Sequence, residues 1–158
     1  MDRERVTTLV RVFSTTRRAE IDAAWTVAES MGDDLLALLA EAFPQVRKSE
    51  GRASILRYAG RFSRESEDAF RLGIAAVQDR AYAVRHYACA LLAYSLRADA
   101  LPTLSSLLQH ADRRTAEDAR AACDAIENKN HHFFRDRDHS GKVLWEYGSA
   151  RFSVFQTE

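Results

Sequence analysis

The chain has few of the residues that interrupt regular structure: 6 Gly and 2 Pro among 158 residues. With so few breakers and an abundance of Ala and Leu, long helices joined by short connections are expected. Charge of one sign is missing too. Lys+Arg and Asp+Glu each number 23, so there is no overall positive field to gather phosphate, and a nucleic acid is disfavoured as partner. Lysine stands only at Lys48, Lys129 and Lys142, so the basic side is almost all arginine, which suits bidentate pairing with carboxylates. Cysteine is limited to Cys89 and Cys123 with no CxxC spacing, which predicts two free thiols in a reducing compartment. No apolar run is long enough for a signal peptide or a bilayer span, so a cytoplasmic protein with no membrane association is expected. A P-loop, GxGxxG, HExxH and nucleophile elbow are all missing, and neither a catalytic role nor a cofactor is expected.

What is present is helical periodicity. Val6, Leu9, Val10 and Phe13 share one face of a first helix, and Ile21, Ala24, Trp25, Ala28 and Met31 one face of a second. Leu35 to Phe43 is a third, ended by Pro44. Further stripes follow over about 47–62, 66–77, 81–96, 101–110 and 115–127, with Pro102 in the first turn of the seventh. Eight short helices with wide apolar stripes must pack on one another. Aligning alternate helices places Asp22, Arg52, Arg85 and Asp118 in register, with small residues just after each, as in a stack of helix pairs.

The run from Asp79 to Ala88, followed by Ala100-Leu101-Pro102-Thr103-Leu104 and Leu107-Leu108, resembles a HEAT-type repeat. The likeness covers roughly residues 65–127 and is weaker over 1–64. It implies an α-solenoid of antiparallel helix pairs in which a turn Asp and an Arg six residues later link adjacent repeats. Asp79 and Arg85 match that pair; Arg52 does not, since Val46 stands six residues before it, and Asp118 replaces the arginine of the last repeat.

The expected architecture is therefore all-α: a HEAT-like stack over residues 1–127, with 128–158 as a C-terminal capping segment of the same domain. Two short apolar or aromatic runs, Phe133-Phe134 and Val143-Leu144-Trp145, flank a polar loop containing Gly141 and predict a β-hairpin sealing the last repeat. A tail with Phe152, Val154 and Phe155 extends it.

A stack of this kind offers a long surface and no inherent chemistry, so the expected function is non-enzymatic protein binding, by an adaptor or a bacterial immunity-like inhibitor. The contact face would be that of the second helices. The residues expected to carry it are Arg52, Arg57, Arg61 and Arg85, able to pair with an acidic protein, together with His132, Asp136, Asp138 and His139 beside aromatic side chains. Two alternatives stay open. One is an enzyme or metal-dependent protein using the His/Asp-rich segment 131–139, where His131, His132 and His139 accompany Asp136 and Asp138. Asp136, Asp138, Ser140 and Gly141 also match the opening of a calcium loop, but Tyr147 replaces the Glu required at its twelfth position. The other alternative is nucleic-acid binding through the basic helix 47–64.

Overall fold

The computed structural model describes residues 2–147; the expected tail from Gly148 onward lies outside them. Eight α-helices are present among the described residues: α1 (Arg3–Phe13), α2 (Arg18–Glu29), α3 (Leu35–Ala42), α4 (Ser49–Gly60), α5 (Glu67–Ala76), α6 (Tyr82–Ser95), α7 (Leu101–Ser105) and α8 (Arg113–Glu127). Their starts follow local chemistry. The side chains of Asp2, Ser66 and Asp112 accept hydrogen bonds from backbone N–H groups of the first turns of α1, α5 and α8. Pro102 opens α7, where the missing donor costs nothing. Helix α7 is shorter than its apolar stripe and continues as turns to Gln109.

The helices lie in two layers. Helices α1, α3 and α5 pack side by side in one, and α4, α6 and α8 in the other; the α4–α5 and α5–α6 packings join the layers, while α2 packs on α1 and α7 on α8. The core is continuous. Phe13, Trp25, Leu39, Ile55, Leu56, Leu91, Leu92 and Leu104 are all buried within it. A small residue sets the approach of the two layers at one point. A Cβ at Gly51 would stand 1.9 Å from the Phe13 carbonyl oxygen, so the close approach of α1 to α4 requires glycine there.

An arginine ladder crosses the second layer. Arg52 forks onto the Asp79 carboxylate (Nε–Oδ2 2.8 Å, Nη2–Oδ1 2.9 Å), 27 residues ahead of it. Its Nη1 donates to the carbonyl of Val46, 6 residues behind. Arg85 repeats the pattern, donating to the Asp79 carbonyl 6 residues behind and to the Asp112 carboxylate 27 residues ahead. The carboxylate link therefore runs forward from each arginine. The position six residues back contributes only a backbone carbonyl, which is why Val46 serves as well as Asp79.

The expected C-terminal β-hairpin is not present: no strand occurs among the described residues. After α8 the chain turns at Lys129 (φ 52°), and Asn130 accepts the His132 N–H to start a 3-10 turn over His131–Phe134. The Asp136 carboxylate then accepts from the Ser140 N–H, the Ser140 hydroxyl and the Gly141 N–H, curling 136–141 onto itself with His139 and Gly141 at positive φ. Residues 142–147 follow as an irregular strap whose Trp145 N–H donates to the His132 imidazole (2.9 Å) rather than to a facing carbonyl. Side-chain acceptors thus take the donors that a β-ladder would need.

Candidate functional site

The segment 131–147 runs over the second layer and touches three of its helices in turn. On α8, Arg137 donates to Asp118 (2.9 Å) and the His139 imidazole bonds Asp124 (2.5 Å) while stacking on Phe133 at 3.7 Å. On α6, Tyr94 donates its hydroxyl proton to Glu146 (2.8 Å) and its ring meets those of Trp145 and Tyr147 edge-on. On α4, Gly60 admits Tyr147: a Cβ there would lie 2.3 Å from the phenol ring. Phe134 and Trp145 are buried by this crossing. An open groove of about 610 Å³ lies along α8, lined by Leu108, by Glu117, Arg120, Cys123 and Glu127 of α8, and by Arg137 of the C-terminal segment.

The arginines expected to meet a partner are largely occupied within the fold. Arg52, Arg57 and Arg85 are 5%, 8% and 7% exposed. Arg52 and Arg85 form the ladder, with Arg85 Nε also donating to the Thr115 hydroxyl (2.8 Å). Arg57 donates to the Tyr87 hydroxyl (3.2 Å) and lies over that ring. Arg61 is half-buried, its guanidinium 5.1 Å from the Tyr58 and Phe62 centroids. Asp136 is buried in its own turn, where the Ser140 and Gly141 hydrogen bonds lower its pKa. His132 accepts the Trp145 N–H, His139 pairs with Asp124, and Asp138 is exposed. His132, Asp136 and His139 are thus each engaged by a different neighbour, and Arg52 and Arg57 of α4 turn toward groups before and on α6.

Sequence reasoning missed the centre at Asp118. Its side chain accepts from His86 Nδ1 (2.8 Å), the Tyr82 hydroxyl (2.9 Å) and Arg137. Burial alone would raise this carboxyl; the three donors outweigh it and hold its pKa below the ordinary carboxylate range. Tyr82 is pushed up to about 12 by burial and by its bond to Asp118. The signal in the sequence was the aspartate in the arginine register: the ladder ends here, and an arginine from the C-terminal segment comes in to meet it.

His131, His132 and Glu146 place one potential ligand atom each within 4.8 Å of one another. Their hydrogen bonds do not suit a metal ion. A guanidinium only donates, so Arg64 Nη2, 2.9 Å from His131 Nδ1, requires that nitrogen to accept. His131 then carries its proton on Nε2, directed at Glu146 Oε1 (3.0 Å). Metal at Nε2 would move the proton to Nδ1, against Arg64, where ligating imidazoles instead offer N–H to an acceptor. His132 Nδ1 is likewise taken by a backbone donor. Burial lowers the His131 pKa, with Arg64 and His132 adding to this and Glu146 opposing it, so the neutral ring is favoured.

No family model matches the sequence, and no curated protein or solved structure matches it. No helix among the described residues is long and apolar enough to cross a membrane.

Proposed function

We propose that the chain is a non-enzymatic protein-binding module of HEAT-like build, an adaptor or immunity-like inhibitor, that meets its partner on the second-helix layer as overlaid by the strap. One observation carries this reading. Val143 (42% exposed) and Leu144 (77%) are the exposed large hydrophobic side chains among the described residues, and they sit next to each other on that layer. They are held from both sides, by the Asp136 turn before them and by buried Trp145 and bonded Glu146 after them. A pre-ordered apolar pair spends little conformational entropy when a partner covers it, which is the property of an interface anchor. An acidic partner draws support only from the arginines not enclosed by the fold, so apolar contact leads and charge contributes at the rim.

The test is affinity capture from the native host with the whole chain as bait, repeated with Val143→Asp/Leu144→Asp and with Arg61→Glu. Loss of a stoichiometric protein partner with the first variant, at unchanged helical circular dichroism, is the expected result. Full retention by that variant would refute the strap as the contact.

A further inference from the structure

Arg64, Tyr94, His131 and Glu146 come from three separate parts of the chain and form one closed chain of hydrogen bonds. Arg64, in the α4–α5 connection, donates from Nε to the Tyr94 carbonyl (2.6 Å) and lies 4.2 Å above the Tyr94 ring. Its Nη2 donates to His131 Nδ1 (2.9 Å). His131 Nε2 donates to Glu146 Oε1 (3.0 Å), and the Tyr94 hydroxyl donates to Glu146 Oε2 (2.8 Å). In all four bonds a donor faces an acceptor only while His131 is neutral with its proton on Nε2.

A second proton can go only to Nδ1. It would point at a guanidinium N–H with the heavy atoms 2.9 Å apart, two donors and two positive charges facing each other. The bond to Glu146 survives, and strengthens, because it becomes an ion pair. The contact that must break is the one to Arg64. We propose that this constellation is a proton-operated clasp: it fastens the C-terminal segment to the α4–α5 connection while His131 is neutral, and opens at Arg64 when His131 is protonated.

The groups facing His131 are Arg64 from the connection, Tyr94 from α6, His132 beside it, and Trp145 and Glu146 from the strap. Of these, Arg64 and His132 resist its protonation and Glu146 favours it. Burial also disfavours the charged ring, so the folded pKa lies below the unfolded one. The clasp's contribution is therefore complete above the ordinary histidine value and is lost as pH falls through the lower folded value. Opening frees the Nη2 edge of the Arg64 guanidinium, which stays anchored on the Tyr94 carbonyl, so that the same face presents an added hydrogen-bond donor in acid.

Nitrogen-15 NMR on the full chain tests this. At neutral pH the His131 ring should show the Nε2–H tautomer, and the Arg64 Nη2–H that it accepts should be a slowly exchanging resonance. Through the His131 titration that resonance should disappear into exchange. Arg64→Met, at an exposed position, should raise the His131 midpoint, and Glu146→Gln should lower it. In His131→Gln the Arg64 resonance should lose its dependence on pH. An Nδ1–H tautomer, an Arg64 resonance that persists once His131 is protonated, or an unmoved midpoint in Arg64→Met would each overturn the clasp.

Discussion

Replacing Arg52 by alanine should cost stability, and the magnitude follows from what it leaves behind. The guanidinium is 6% exposed and the Asp79 carboxylate it forks onto is 11% exposed. Without Arg52 that carboxylate loses the cation it pairs with, and the carbonyls of Val46 and Arg47 each lose a donor (3.0 Å in both cases). Removing one partner of a buried pair costs about 3–5 kcal/mol, because the other charge is left desolvated and alone. The slight exposure of Asp79 lets water screen part of that, which puts the expected loss near the lower end, about 3–4 kcal/mol. For a domain of this size the same loss appears as a fall in Tm of roughly 6–16 °C. Urea unfolding followed by circular dichroism measures it directly, and an unchanged m-value would show that the two-state reading holds. Asp79→Asn is the companion variant, since an amide oxygen can still accept the Ala81 N–H at the start of α6. The double variant should cost clearly less than the two single costs added, a coupling of at least about 1 kcal/mol. A cost below about 1 kcal/mol for Arg52→Ala would mean that water already satisfies Asp79, and the ladder would not be what joins α4 to the start of α6.

Gly60→Ala should push Tyr147 off α4, since the new methyl would meet the phenol ring, at a cost of about 1–3 kcal/mol; adding Tyr147→Ala should recover most of the loss in the same urea assay. Asp118→Asn should destabilise the chain at neutral pH and flatten its acid unfolding limb. The folded carboxyl sits below its ordinary 3.8 despite burial, so its contribution is present above that value and disappears as pH falls through the lower one. A stability–pH curve parallel to the native one would reject that assignment. Zinc in about tenfold excess should leave Tm unchanged, because both imidazoles hold Nδ1 toward fixed donors; a rise abolished by His132→Ala would make the histidine cluster a metal site after all.

The helices were legible because burial imposes a 3.6-residue period that survives in a single sequence, as at Leu9 and Phe13 or Ala119, Ala122 and Ile126. The register of Arg52, Arg85 and Asp118 was also legible, but not its wiring. Asp79 and Arg85 look like partners because they are neighbours in sequence; in space the Asp79 carboxylate belongs to Arg52, and Arg85 takes only the Asp79 carbonyl. The basic run on α4 misled for a related reason. Helical spacing tells which side chains share a face but not that this face is turned toward α6, and α4 has neighbours in both layers. The C-terminal segment was misjudged because its aromatic runs carry strand propensity, while its hydrogen bonds are decided by Asn130, His132 and Asp136. Strand propensity reflects packing on a pleated surface, and here the aromatic side chains find a helical one instead.

The ladder makes the chain modular in a way that can be written as an edit. Arg52 and Arg85 stand 33 residues apart, and each reaches back 6 and forward 27. If residues 53–85 are excised, Arg52 is followed directly by His86, keeps the Val46 carbonyl behind it, and finds Asp112 at the distance where Asp79 used to be. The junction preserves the helical phase and both partners of the guanidinium, so a chain shorter by one whole unit satisfies the same bonds. A cut of any other length would strand the arginine. Lengthening obeys the same arithmetic, but only upstream of Asp118, where the final carboxylate awaits Arg137 and offers nothing forward to join.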